Sequence, residues 1–159
     1  AVELAKEAGW IISIDMASYN VVESNDAFLH DIVENYVDIV FANEGEARAF
    51  TGSFDSQEQA RYIAHLCDIA VVKLGESGSI AVSDEDHVYK CDAAYTENVI
   101  DTTAAGDYFA AGFLHALARG EKLKKCLQTG TILATEAIQV MGSELSPSAW
   151  NRIMSSING

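Results

Sequence analysis

Short apolar runs alternate with amphipathic segments along this chain of 159 residues. Three runs have the length and β-branched composition of buried strands, namely 10–15, 37–42 and 69–74. Segments with apolar residues every three or four positions predict helices at 1–8, 25–35, 44–51, 56–66, 105–119, 121–141 and 147–157. The pattern at 79–83 and 87–90 predicts a hairpin around 84–86. Buried strands that alternate with helices indicate an α/β fold with helices on both faces of a sheet.

The order of the predicted elements suggests an incomplete domain. The chain opens in a helix that runs directly into a core-type strand, whereas a self-contained α/β domain more often begins with its own first strand. We therefore expect 1–159 to be the C-terminal half of a single domain whose sheet is incomplete at its N-terminal side. In such sheets ligands bind beyond the carboxyl ends of the strands, which directs attention to Asp15, to Asn43 and to the loop Gly75–Gly78.

Charge and composition narrow the class of protein. The net charge is −14, and the longest cluster of basic residues is Lys122, Lys124 and Lys125. Nucleic acid is therefore not an expected partner, since its binding depends on clustered cations. An acidic chain can still hold a phosphate ligand through backbone N–H groups, a helix N-terminus and Mg²⁺. No apolar run reaches the roughly 18 residues of a membrane span, and the first residues do not form a signal peptide, so we expect a cytoplasmic protein.

The cysteines and histidines show no ligand spacing. Cys67, Cys91 and Cys126 stand far apart and are odd in number. They are interpreted as neutral thiols in a reducing compartment rather than as disulfide or zinc residues. The four histidines fall in no metal or nucleophile pattern and are expected to be structural or surface residues.

The stretch Asp101-Thr102-Thr103-Ala104-Ala105-Gly106-Asp107 is a turn of small residues that leads into the predicted helix 105–119. The first N–H groups of a helix have no partner within it, and side chains no larger than methyl at 104–106 let a ligand approach them. The helix dipole adds partial positive charge. These features indicate an anion hole with the Asp107 carboxylate beside it as a proton acceptor. The alternative is a plain capped helix in which Asp107 only complements the dipole.

These seven residues, with the small and aromatic helix that follows them, resemble the signature of the ribokinase-like, phosphofructokinase-B-type (PfkB) kinase family. The usual pattern there is Asp-Thr-x-Gly-Ala-Gly-Asp. The resemblance implies that Asp107 is the catalytic base and that the N–H groups of Ala104, Ala105 and Gly106 form the anion hole. Ala104 replaces the usual glycine, which is compatible with the motif if its φ is negative.

Two upstream segments resemble further motifs of this family in the right order. Asn43-Glu44-Gly45-Glu46 is similar to its Asn-x-x-Glu motif, which implies that Asn43 lies near the nucleotide phosphates and that Glu46 orders Mg²⁺ through water. The same residues also fit a helix capping box, and both roles are compatible. Lys73, Gly75 and Gly78 stand where the family has its nucleotide loop, although glycines of a hairpin loop explain the pattern equally well.

The segment 138–143 resembles one that binds a monovalent cation such as K⁺ in many relatives. The resemblance implies that Asp101 and Thr103 complete that site, and the alternative is that Asp101 only caps its turn. Residues 15–20 lie where relatives often have Asp-x-Asn-x-Arg, but this chain has no Arg there.

The resemblance implies an ATP- and Mg²⁺-dependent kinase that phosphorylates a hydroxyl of a sugar or nucleoside. The substrate and lid half would be absent from this chain, together with the contacts of a homodimer, so the isolated chain is expected to have little activity. The alternative is a nucleotide-binding module of the same fold without turnover. A dehydrogenase is disfavoured, because no Gly-x-Gly-x-x-Gly follows a strand.

Overall fold

A five-stranded sheet organises the computed structural model, which describes residues 1–83 and 87–157. The strands lie in chain order: β1 (Ser13–Asp15), β2 (Ile39–Asn43), β3 (Ile69–Lys73), β4 (Ser79–Val82) and β5 (Val88–Cys91). β1 and β2 pair in parallel, as do β2 and β3, whereas β3 and β4 are antiparallel. The sheet and its flanking helices confirm the predicted α/β class. The turn of the predicted hairpin, at 84–86, lies outside the described residues.

Eight α-helices occur in the described parts of the chain. They are α1 (Val2–Glu7), α2 (Tyr19–Ser24), α3 (Asp26–Tyr36), α4 (Glu44–Thr51), α5 (Ser56–Ala64), α6 (Ala105–Ala118), α7 (Leu123–Ala137) and α8 (Pro147–Ile157). The sequence predicted all of them except α2, which is only six residues long and begins at a Ser18 cap. α4 has the predicted bounds and ends at Gly52, whose φ of 73° is the left-handed conformation expected of a glycine cap.

The chain divides into two compact units. The N-terminal unit consists of Ala1–Gly75 and Ser79–Tyr89. The C-terminal unit consists of Glu76–Gly78 and the chain from Lys90 onward. Predicted site residues occur in both units, which are described separately below.

Alternate strand residues build the core of the N-terminal unit. Val40, Val72 and Val82 come from one face of the sheet and pack among helix residues such as Val33 and Ile63. The intervening positions of β2 are buried as well, so that the strand is buried on both faces from Ile39 to Ala42. This explains why the strand appears in the sequence as a continuous apolar run rather than as an alternating pattern.

β1 is shorter and more exposed than predicted. Only Ser13–Asp15 form the strand, and the side chains of Trp10 and Ile11 are 69% and 77% exposed. The prediction of a buried strand at 10–15 is therefore wrong. The reason lies in position: β1 is the first strand in the sheet order and pairs with β2 alone among the described strands. An apolar run predicts a strand but does not by itself predict how many strands lie beside it.

Asp38 binds residues of the segment that precedes β1. Its carboxylate binds the Lys6 ammonium and accepts a hydrogen bond of 2.7 Å from the N–H of Ile12. Burial alone would raise the pKa of Asp38, but these hydrogen bonds outweigh burial and hold that pKa below its ordinary value. The carboxylate therefore links α1 and the β1 segment to the start of β2.

The two long helices of the C-terminal unit approach closely at two glycines. A Cβ on Gly112 of α6 would lie 2.8 Å from the carbonyl oxygen of Thr129, and one on Gly130 of α7 would lie 2.8 Å from the carbonyl oxygen of Phe109. Real Cβ atoms do not come so close to backbone oxygens, so both positions require glycine for this packing. Leu133 of α7 also packs with Ala149 and Ile153 of α8.

Burial affects the acidity of the cysteine thiols. The three cysteines are free, and burial raises the pKa of Cys67 to about 12, so that this thiol is neutral. Burial likewise raises the pKa of Cys126. Across the described residues, none of the helices combines the length and apolar character needed to cross a bilayer.

Candidate active site

Polar residues end all three parallel strands of the N-terminal unit. Asp15, Asn43 and Lys73 are the last residues of β1, β2 and β3, and Asn43 lies opposite Lys73 in the register. Because the strands are parallel, their carboxyl ends meet at one edge of the sheet. The structure thus brings together three residues on which the sequence analysis focused.

Lys73 forms an ion pair with Asp15 beyond the end of β2. Its Nζ lies 2.7 Å from Oδ2 of Asp15, and the two side chains are 17% and 35% exposed. The other oxygen, Oδ1, accepts a hydrogen bond of 3.0 Å from the N–H of Ala17. Ala17 has a φ of 62°, so the carboxylate supports a left-handed turn at a residue without glycine's freedom. The sequence analysis did not predict this pair.

Asn43 and Glu46 form a complete capping box at the start of α4. Oδ1 of Asn43 accepts from the N–H of Glu46 at 2.9 Å, while the Glu46 carboxylate accepts from the N–H and the side-chain amide of Asn43 at 2.7 and 2.6 Å. The capping interpretation is confirmed. Glu46 is 4% exposed, and each of its oxygens keeps a second lone pair that a water or a hard cation could use.

Gly75 and Gly78 bound a 3₁₀ turn and have different reasons to be glycine. Gly75 has a φ of 56° with open space around its missing Cβ, so its conformation alone favours glycine. Gly78 has a φ of 90°, and a Cβ there would collide with the carbonyl oxygen of Cys91 and lie 2.8 Å from Cα of Asp92. A positive φ, as the loop interpretation proposed, and close packing within the chain both favour glycine at position 78.

In the C-terminal unit the turn of small residues leads into α6 as predicted, but its geometry differs at Ala104. Ala104 is the N-cap with a φ of 61°, so the condition of a negative φ, under which alanine is compatible with the motif, is not met. The capping position needs a left-handed residue here, and alanine adopts that conformation at a cost of about 1–2 kcal/mol. The N–H of Ala105 donates to the carbonyl of Thr102 at 3.2 Å and closes the turn.

Asp107 lies in the first turn of α6 and is exposed. Ala105, Gly106 and Asp107 are the first three residues of the helix. The carboxylate is thus carried by the same turn whose N–H groups point toward the N-terminal end. A ligand at this helix end would meet both the backbone donors and an accessible proton acceptor.

Asp101 joins this turn to the segment after α7. Its Oδ1 accepts from the N–H of Thr103 at 2.9 Å, and its Oδ2 accepts from the N–H of Gly142 at 2.9 Å. The hydroxyl and N–H of Thr103, followed by the N–H of Gly142, hold the pKa of Asp101 below its ordinary value. Asp101 therefore caps its turn, as one of the two sequence interpretations proposed. Asp101 thus contacts the 138–143 segment directly, and Thr103 contacts Asp101.

The predicted site residues divide between the two units. The N-terminal unit holds Asn43, Glu46, Lys73 and Gly75, and the C-terminal unit holds Gly78, Asp101, Thr103 and 104–107. Within the described ranges, no group of three or more His, Cys, Asp or Glu side chains is arranged to hold a metal ion. Two contacts were not predicted from the sequence: the ion pair of Asp15 with Lys73, and a hydrogen bond of 2.9 Å that the Tyr108 hydroxyl donates to the carbonyl oxygen of Ser143. The opposite charges at the ends of β1 and β3 could have indicated the ion pair. The hydrogen bond of Tyr108 could not be predicted in this way, because its acceptor is a backbone carbonyl, which every residue has.

Known proteins are similar to this chain in both sequence and fold. Residues 2–150 match the model of the pfkB family of carbohydrate kinases. Cytidine kinase of Thermococcus kodakarensis is 33% identical over 115 residues, which cover 72% of this chain and 41% of that protein. The 5-dehydro-2-deoxygluconokinase of Bacillus subtilis is 28% identical over 156 residues, which cover 94% of this chain and 48% of that protein.

Solved structures agree over nearly the whole chain. A probable sugar kinase from Rhizobium etli superimposes with a TM-score of 0.90 at 30% identity, covering 98% of this chain and 47% of that one. Adenosine kinase from Sinorhizobium meliloti gives 0.90 at 29% identity with the same coverage. The chain therefore spans less than half the length of these relatives.

Proposed function

Because this chain belongs to the pfkB family of carbohydrate kinases, we propose that it is the phosphoryl-transfer half of an ATP-dependent kinase acting on a sugar or nucleoside hydroxyl. The observation that carries the proposal is the turn Asp101–Asp107, which delivers a carboxylate and backbone N–H groups to one helix end. Relatives that phosphorylate cytidine, adenosine or a sugar acid support the acceptor class. The 159 residues hold this site as one half of a single kinase domain.

In the proposed reaction Asp107 removes a proton from the acceptor hydroxyl. The acceptor oxygen forms its bond to the γ-phosphorus, the bond from that phosphorus to the bridging oxygen breaks, and ADP leaves with the electron pair. The N–H groups of Ala104, Ala105 and Gly106 stabilise the charge on the transferred group, with the Ala105 N–H exchanging its bond to Thr102 for the ligand. Such transfer depends mainly on positioning and charge stabilisation.

The N-terminal unit is proposed to hold the nucleotide phosphates and Mg²⁺. Asn43 and Glu46 supply oxygen atoms of the kind that Mg²⁺ prefers, with Glu46 acting through water. Mg²⁺ would neutralise charge on the phosphate oxygens. Lys73 and the loop from Gly75 to Gly78 would contact the nucleotide, and Asp15 keeps the Lys73 ammonium at this edge. Asp101 and Thr103 are proposed partners of a monovalent cation such as K⁺.

The test uses the full-length parent protein with Mg-ATP and a panel of sugars and nucleosides, following ADP release. Asp107→Asn should lower acceptor-dependent release by orders of magnitude, typically about 10²–10⁴-fold for loss of a general base. Asp31→Asn on α3, an exposed carboxylate hydrogen-bonded to Asn35, serves as the matched control and should retain activity. Release unaffected by Asp107→Asn would remove Asp107 as the base.

The second candidate is a nucleotide-binding module without turnover. ATP binding by the full-length protein, with no ADP release for any acceptor, would favour it. The exposed Asp107 carboxylate at the helix end argues against it, because binding alone does not require a proton acceptor there. The isolated chain should show little turnover even if the kinase proposal is correct, because it would lack most of the acceptor pocket.

A further inference from the structure

Two hydrogen bonds hold the turn of the C-terminal unit on opposite sides of the proposed catalytic residues. Before the turn, Oδ2 of Asp101 accepts from the N–H of Gly142 at 2.9 Å. After it, the Tyr108 hydroxyl donates to the carbonyl oxygen of Ser143, also at 2.9 Å. The adjacent residues Gly142 and Ser143 therefore bind Asp101 and Tyr108, which lie on either side of Ala104–Asp107.

The anchoring segment is itself tied to the chain before the turn. The carbonyl of Ile138 accepts from the N–H groups of Ile100 and Asp101 at 2.8 and 3.3 Å. Segment 138–143 thus contacts residues 100 and 101 through its beginning, and residues 101 and 108 through its end. The attachment after the turn comes from Tyr108, whose ring also lies 6.2 Å from that of Trp150 in α8.

The turn needs such support because it contains a strained residue. Ala104 holds a left-handed conformation that unsupported alanine does not favour. Without the bond from Tyr108, the hydrogen bond from Gly142 to Asp101 would remain, but it attaches the segment before the turn rather than at the start of α6. Relaxation of Ala104 would then redirect the N–H groups and the carboxylate of Asp107 together, since all belong to the same helical turn.

We propose that Tyr108 is a positioning residue for phosphoryl transfer. The hydrogen bond from its hydroxyl to Ser143 fixes the position of the first turn of α6. That turn carries Asp107 and the N–H groups of the anion hole, so the bond also fixes their orientation. This inference rests on the proposed function. It predicts an effect on the chemical step rather than on acceptor binding, because Tyr108 acts on the orientation of the reacting groups and a misplacement of about 1 Å can cost about 10²-fold in rate.

The test compares Tyr108→Phe with Tyr95→Phe in the full-length protein. Phenylalanine keeps the ring beside Trp150 and removes only the hydroxyl. Tyr95 is the matched control, since it is 85% exposed and its hydroxyl makes a longer bond of 3.4 Å to Glu97. We measure kcat, KM for the acceptor, hydrogen exchange of the amides in 138–143, and the affinity for Mg-ATP by calorimetry in the absence of acceptor.

We expect Tyr108→Phe to lower kcat by about tenfold with the acceptor KM nearly unchanged, and to speed exchange in the segment, while Tyr95→Phe changes neither. Faster exchange with an unchanged kcat would overturn the positioning role and leave the kinase proposal intact. Unchanged hydrogen exchange in 138–143 would show that the Tyr108 hydroxyl does not hold this segment. If the wild-type protein turns over no acceptor, the kinase proposal fails, and the affinity for Mg-ATP decides. A loss of affinity in Tyr108→Phe supports the role of the Tyr108 bond in orienting the anion hole, and equal affinity refutes it.

Discussion

Lys73 and Asp15 meet beyond the carboxyl end of the strand that separates them, with 2.7 Å between Nζ and Oδ2. The carboxylate also accepts from the N–H of Ala17, so it serves an ion pair and a left-handed turn at once. These two roles can be separated by mutation, because asparagine can keep the turn and alanine cannot.

We expect Asp15→Asn to lower the free energy of unfolding by about 0.2–1 kcal/mol, the range for partly exposed ion pairs. Asp15→Ala should cost about 1 kcal/mol more, because the N–H of Ala17 loses its acceptor. Urea denaturation measures both values. A double-mutant cycle of Asp15→Asn with Lys73→Met supplies the control, and a coupling energy of zero would show that the pair contributes nothing to stability.

Ala104→Gly should stabilise the protein. The substitution relieves about 1–2 kcal/mol of left-handed strain and loses about 0.4–1 kcal/mol to the greater freedom of the unfolded chain, so we expect a net gain of roughly 0.5–1 kcal/mol. Gly142→Ala is the converse experiment. Gly142 has a φ of 76° with open space around it, so its substitution should cost stability through strain alone. A lower urea midpoint for Ala104→Gly, or a higher one for Gly142→Ala, would refute the assigned backbone conformations.

Glu46→Gln should separate the capping role from the proposed Mg²⁺ role. Glutamine is accepted in a capping box, so the unfolding free energy should fall by no more than about 1 kcal/mol. Loss of the charge should raise the KM for Mg-ATP in the full-length protein. Glu44→Gln removes an exposed charge from the same helical turn and should leave that KM unchanged. Equal effects of the two variants would reduce Glu46 to a structural cap.

Acid should weaken the link between Asp101 and Gly142. The pKa of Asp101 is lowered in the folded chain, first by the Thr103 hydroxyl and N–H and then by the Gly142 N–H. A depressed carboxyl pKa contributes stability that is complete above the unfolded value, near pH 4, and is lost as pH falls through the folded value. Wild-type urea midpoints between pH 7 and pH 2.5 should therefore fall further than those of Asp101→Asn. Parallel curves would contradict the linkage.

Periodicity predicted the main helices and inner strands because their burial follows the pattern of side chains. It could not predict the exposure of Trp10, since burial of an edge strand depends on what lies beside it. α2 was not predicted because it is short and, unlike the equally short α1, is not followed by a glycine that marks a helix end. The capping box of Asn43 with Glu46 was predictable from spacing alone, whereas the bond from Tyr108 to Ser143 joins a side chain to a distant backbone carbonyl.

The glycine contact between α6 and α7 also bears on how this protein can evolve. Gly112 follows Asp107 by five residues, about 7.5 Å along the helix axis, and its missing Cβ faces the Thr129 carbonyl oxygen. A side chain at either glycine would push α6 away or turn it about its axis, and the carboxylate of Asp107 would turn with it. Natural variation should therefore be accepted more readily at the exposed Ala111 than at Gly112 or Gly130, although none of these three residues touches a substrate in the proposed reaction.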